Sequence, residues 1–233
     1  MEQNRIWDYF QNEKINIFDG SYDRLLFLLK NIQQGTKVLN IGVGGGILEK
    51  IALSKNIDIY SLDPNEKAIK KLQKLIGKNK AKIGYSQNIP FTNDYFDVVV
   101  MSEVLEHLTD EAISKTLKEV NRVLKKDGKF IGTVPYNENL DEQIVVCPKC
   151  GEKFHRWGHI QSFDKESLLD MLKKEFPKVD IKIKKFSSMN TSTLKGKLLS
   201  LLGFVKYKIL KVFGPNSLGD NLYFECYKID NSK

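Results

Sequence analysis

From Lys37 onward, short apolar runs alternate with longer amphipathic stretches, and this alternation leaves few architectures open. It is the pattern of βα units feeding a parallel sheet, in which each strand is buried on both faces and each crossover helix covers one of them. The runs at 38–43 (VLNIGV), 57–63 (IDIYSLD), 81–85 (AKIGY), 96–101 (FDVVVM) and 128–134 (GKFIGTV) read as strands one to five. Between them, ILEKIALSK, PNEKAIKKLQKLIGK and EAISKTLKEVNRVLKK place apolar residues at helical spacing, the second with Pro64 at a first helical position and its lysines on a solvated face. After a break at 135–163, SFDKESLLDMLKKEF resumes as a helix with Ser162 or Asp164 as cap. VDIKIKKF follows as strand six, and NLYFECYKI (221–229) closes the sheet as strand seven, the antiparallel last strand. Residues 1–33 form a helical lead-in carrying Trp7, Tyr9, Phe10, Phe18 and Tyr22, which either caps a ligand crevice or packs on the sheet.

At 233 residues and 41% apolar composition, the chain can bury one core and carry insertions, but hardly a second full domain. We therefore expect a single α/β domain over 1–233, with insertions at about 135–163 and 190–214. No run of eighteen uncharged apolar residues occurs, and MEQNRIWDYF has neither a basic nor an apolar leader region, so a cytoplasmic protein is expected. Three cysteines are too few for a disulfide framework; Cys226 reads as a small core residue. The net charge of +8 is unevenly spread. Residues 181–213 hold eight lysines and no acid, which equals the whole excess.

VLNIGVGGGILEK puts Gly42, Gly44, Gly45 and Gly46 between a strand and a helix, where missing side chains let backbone N–H groups approach a ligand above the helix N-terminus. Asp63 ends the second strand, 21 residues after Gly42, where a carboxylate can hold two ribose hydroxyls. Dinucleotide and methyl-donor sites share this much. With LNIGVGGG and SLDP, the segment QNIPFTNDYFDVVVMSEVLEHL (87–108) resembles the class I S-adenosylmethionine-dependent methyltransferases over roughly residues 36–134. The resemblance implies a Rossmann-like, doubly wound fold. It also implies that Gly42, Gly44 and Gly46 wrap the methionine part of the cofactor, that Asp63, beside Pro64, binds its ribose, and that Gln87, Asn88 and Ile89 border its adenine. Glu103 would stand at the methyl-donor end. Two positions depart from the family. Asn40 stands where an acid is common, and an Asp that bonds the adenine amino group is missing near Tyr85. An Asn still accepts a bond from the cofactor's ammonium, without charge assistance. No Lys or Arg follows Asp63 to receive a 2'-phosphate, which disfavours a dehydrogenase.

CPKCGEKFHRWGH supplies Cys147, Cys150, His155 and His159 as C-x2-C-x4-H-x3-H. Two thiolates and two imidazoles make a tetrahedral Zn2+ set, closed and hence structural, and Cys-Pro-x-Cys-Gly resembles a zinc-ribbon knuckle. Such an insertion after strand five emerges on the ligand-binding edge of the sheet, with Tyr136, Phe154 and Trp157 either walling the entrance or forming its own core. For the reaction, His107 is the one histidine outside that set, and is either a general base or a residue packing the short helix after strand four. No N-P-P-[YF]-like tetrapeptide of amino-methylating nucleic-acid enzymes occurs, so oxygen or carbon acceptors on a metabolite or lipid-linked glycan are expected ahead of RNA. A cofactor-binding module without activity is the third alternative. In 194–213, Leu194, Leu198, Leu201, Leu202, Val205, Ile209 and Val212 form one apolar stripe with Lys197, Lys208 and Lys211 across from it. That suits core packing, a lid, a dimer contact, or peripheral docking on an anionic membrane.

Overall fold

A computed structural model describes residues 3–13, 16–186 and 220–229. Seven strands form one sheet in the order β3-β2-β1-β4-β5-β9-β8. They are β1 (Lys37–Ile41), β2 (Asp58–Asp63), β3 (Ala81–Ile83), β4 (Phe96–Ser102), β5 (Leu124–Pro135), β8 (Lys178–Lys185) and β9 (Asp220–Tyr227), with a separate hairpin of β6 (Ile144–Val146) and β7 (Lys153–His155). The first five are mutually parallel, and β9 enters antiparallel between β5 and β8. This is the doubly wound, Rossmann-like sheet with an antiparallel last strand. The hairpin sits inside the 135–163 insertion, whose short strands carry no long apolar run to announce them.

Strand periodicity sorts the apolar side chains into two layers. Leu39, Ile41, Val99, Met101 and Phe130 face α5 (Asp110–Val123) and α6 (Lys165–Lys173), whose Ile113, Leu117, Val120, Leu168 and Leu172 complete one core. Their sequence neighbours Val38, Val98, Val100 and Ile131 point the other way, onto Leu28, the last residue of α2 (Tyr22–Leu28), and Leu29 just after it, and onto Leu48 and Ile51 of α3 (Ile47–Ser54). A single Leu→Ala change in either layer removes about 2–5 kcal/mol. Asp164 caps α6 by a reciprocal bond with Ser167. Asn65 caps α4 (Glu66–Ile76), so Pro64 precedes the cap rather than opening the helix.

The lead-in divides its roles. Helix α2 packs on the sheet, while α1 (Gln3–Asn12) lies over the carboxyl ends of the strands. Cys226 is fully buried in the core, and burial pushes its thiol pKa up. Among the described residues, no helix is long and apolar enough to cross a membrane. The expected amphipathic helix at 194–213 lies outside the described residues.

Candidate functional site

A cavity of about 700 Å³ opens above the carboxyl ends of β1, β2 and β4, where open α/β sheets bind their ligands. The glycine turn forms its floor. Gly42 has φ +85°, and a Cβ there would stand 2.5 Å from Val104 Cγ2, so both conformation and space demand glycine. Gly44 lies against the Phe18 ring, and Gly46 is the left-handed N-cap of α3. Gly42 and Gly44 line the cavity together with Asn40, Asp63, Pro64, Gln87, Glu103 and His107. Gly46 shapes the turn from just outside the lining.

Asp63 is 3% exposed. One carboxylate oxygen accepts from Val43 N (2.9 Å) and from the Gln11 amide (3.1 Å), the other from Asn65 N (2.8 Å). Burial raises its pKa, against these hydrogen bonds. Asn40 donates to Glu49 Oε1 (2.8 Å), which also accepts from Ser61 Oγ (2.7 Å). With its NH2 spent on Glu49, Asn40 has its carbonyl oxygen left as the acceptor for the crevice side. The acid missing at position 40 thus reappears one layer behind, on the first turn of α3, where burial pushes the Glu49 pKa up.

Of the three residues expected at the adenine, only Gln87 lines the cavity; Gly84, Tyr85 and Ser86 join it instead. Asn88 is exposed, and Ile89 is a core residue whose N–H donates to Glu119 (2.7 Å). Strand β3 ends at Ile83, two residues short of its expected end, and the chain then turns past the crevice at 84–87 before Ile89 re-enters the core.

Glu103 follows β4 with φ +58°, an uncommon conformation for a residue with a side chain and one found at functional sites. Both oxygens of its carboxylate accept from Asn221 Nδ2 (3.0 and 3.1 Å), and Arg24 Nε lies 3.9 Å away. His107 donates from Nδ1 to the Gly158 carbonyl (3.0 Å), which fixes the tautomer, and Trp7 packs edge-on against its ring. Burial, with the neighbouring His159, holds its pKa down to about 3. Trp7 belongs to the lead-in expected as a crevice cap and does line the crevice, whereas Gln11, Arg24 and Asn221 escaped the sequence reading because they come from outside the glycine-motif segment. The i, i+4 placement of Trp7 and Gln11 on one face of the lead-in was the available signal.

The Cys2His2 set of Cys147, Cys150, His155 and His159 is not brought together. Cys147 and Cys150 sit in the turn of the β6–β7 hairpin, and His155 lies two residues down β7 from Lys153, opposite Ile144. A strand rises roughly 3.3 Å per residue, so the hairpin carries this histidine away from the thiols. The knuckle itself forms: Gly151 adopts φ +73°, and backbone N–H groups of Cys150 and Lys149 lower the Cys147 pKa. Both histidines meet Glu138 instead. Trp157 packs on Phe10 of α1 (5.3 Å), tying the insertion to the crevice cover.

The sheet order, the glycine turn under a cofactor-sized crevice and the acid on β2 define a nucleoside-binding α/β enzyme of the methyl-transferring type. The chain belongs to the class I S-adenosylmethionine-dependent methyltransferases. Residues 39–132 match the methyltransferase domain family. A ubiquinone biosynthesis O-methyltransferase of Pelagibacter ubique is 31% identical over 176 residues, covering 71% of this chain and 68% of that protein. A putative methyltransferase of Bacillus subtilis is 28% identical over 50% of this chain and 67% of its own length. A SAM-dependent methyltransferase from Methanosarcina mazei shares the fold at TM-score 0.61 and 18% identity, over 88% of this chain and 98% of that one. One from Archaeoglobus fulgidus does so at 0.62 and 16%, over 98% and 100%.

Proposed function

We propose that the chain methylates an oxygen of a metabolite or lipid-linked saccharide. The observation that carries this reading is the polar end of the cavity, where Glu103, held by Asn221 and Arg24, and His107, with its tautomer set by Gly158, stand beside the apolar Trp7 wall. S-adenosylmethionine, when bound, supplies an electrophilic methyl on a sulfonium. The chain's own residues do the rest: the 42–46 turn and Asp63 hold the nucleoside and amino-acid parts, Asn40 accepts from the ammonium, and Gln87 borders the base. As the methyl carbon leaves sulfur and bonds to the acceptor oxygen, the hydroxyl proton must go to a base, and Glu103 or His107 receives it. A base as weak as His107 suffices only late in transfer, when the oxygen has become strongly acidic. The Pelagibacter relative's name, an O-methyltransferase, supports an oxygen acceptor.

The test is transfer of labelled methyl from S-adenosylmethionine to hydroxylated metabolites, to a lipid-linked saccharide fraction and to RNA. Label in the first or second supports the reading. Label in RNA alone, or cofactor binding without any transfer, overturns it in favour of RNA modification or an inactive binding module.

A further inference from the structure

We infer that Glu106, His107 and His159 form a divalent-cation site at the acceptor wall of the crevice, separate from the cysteine knuckle. Their candidate donor atoms lie within 4.8 Å of one another. The hydrogen bonds around them select which nitrogens can bind a cation. His107 Nδ1 donates to the Gly158 carbonyl, so its lone pair is on Nε2. His159 Nδ1 donates to the Glu138 carboxylate, so its lone pair is also on Nε2, and that atom faces Glu106 Oε1 at 4.0 Å. Each imidazole thus has an acceptor on Nδ1 and its lone pair on Nε2, which on His159 is turned toward Glu106, the arrangement that orients histidine ligands in metal sites.

Glu106 supplies an independent pointer. Its side chain is 0% exposed, and neither carboxylate oxygen has a hydrogen-bond partner. A buried carboxyl without donors is costly, and a cation beside it removes the cost. The same test excludes the neighbouring cluster of Glu138, His155 and His159. His155 Nδ1 accepts the His159 N–H (3.0 Å), which leaves the ring proton on Nε2, 3.6 Å from Glu138 Oε1 and not hydrogen-bonded to it. Glu138 is therefore the outer carboxylate of His159; His155 Nε2 is buried without a hydrogen-bond partner, but it carries the ring proton and has no lone pair left for a cation.

Two imidazoles and one carboxylate, with further positions open, suit Zn2+ or Mn2+. Bonds of about 2.0–2.2 Å require the donors to draw in by roughly an ångström, a movement within side-chain reach. His107, the one of the three that lines the cavity, sets the site against the crevice wall. Resting on the oxygen-acceptor reading above, this makes acceptors with a cation-binding hydroxyl the favoured class, with His107 a ligand and Glu103 the remaining base.

The experiment titrates the whole chain, stripped of metal, with Mn2+ followed by its paramagnetic resonance and with Zn2+ by calorimetry, each with and without S-adenosylmethionine. Expected is one cation per chain, lost by at least tenfold in affinity in Glu106→Gln and in His159→Gln, and weakened about 10–100-fold in Glu138→Gln. The Cys147→Ser, Cys150→Ser double variant should bind the same cation unchanged. Retained S-adenosylmethionine binding certifies each variant as folded, and His159→Gln carries the test if Glu106→Gln does not fold. Wild-type cation affinity in both Glu106→Gln and His159→Gln, loss of the cation in the cysteine double variant, or no cation bound by the wild type would overturn the site. None of these readouts uses methyl transfer, so the site can fail while the oxygen-acceptor reading stands.

Discussion

Replacing Asp63 by alanine removes a buried carboxylate that accepts from Val43 N, Asn65 N and Gln11, and two separate losses follow. The first is in binding. A hydrogen bond to a charged group contributes about 1.5–3 kcal/mol, so loss of the proposed ribose contact should raise the Kd for S-adenosylmethionine roughly 10- to 150-fold. The second is in stability. Each of the two backbone N–H groups left without an acceptor costs about 1–3 kcal/mol, offset in part because the buried carboxylate was itself poorly solvated. Titration calorimetry with S-adenosylmethionine and its demethylated product reads the first loss, and urea unfolding the second. Gln11→Ala separates them. It leaves both backbone bonds to Asp63 intact and removes one of the two donors on Oδ2, so affinity for a ribose bound there should hold or tighten. A folded Asp63→Ala protein whose Kd stays within twofold of the wild type, or a wild type that binds NAD and not S-adenosylmethionine, would refute the assignment of the crevice.

Gly42→Ala should lower stability by about 1–2 kcal/mol from its left-handed backbone alone, with the Val104 clash added, and should weaken cofactor binding; unchanged urea midpoint and Kd would contradict the tight turn. Glu49 has a folded pKa raised by burial, so the folded state holds its proton more firmly than the unfolded chain. Stability from this group is therefore lost as pH rises from the ordinary carboxylate range through the raised value, and Glu49→Gln should flatten that dependence and stabilise the protein at neutral pH. A Glu49→Gln protein less stable than wild type at pH 7 would show that the buried charge is well compensated. For the segment at 194–213, salt-sensitive binding to anionic vesicles, reduced when Lys206, Lys208 and Lys211 become Glu, is expected of membrane docking; a wild type that stays unbound in flotation at low salt rules it out.

The order of the sheet strands and their crossover helices, though not the β6–β7 hairpin, was legible in the sequence, because period-2 and period-3.6 patterns are local and each long segment carries its own. The sequence also located the glycine turn and Asp63, since both belong to one contiguous strand–turn–helix–strand unit. What it could not decide was which distant side chains meet. Pairing of the histidines with Glu138 rather than with the cysteines depends on hairpin register and on how the insertion folds back to Glu106, whose carbonyl accepts from Ile160 and Gln161. The same holds for Trp7 and Gln11 over the crevice, for Asn221 against Glu103, 118 residues apart, and for the burial of Ile89. Spacing along the chain predicts neighbours only within one element. Across elements, contacts are set by the packing of the whole sheet, in which a shift of two residues along a strand separates ligands that the linear motif places side by side.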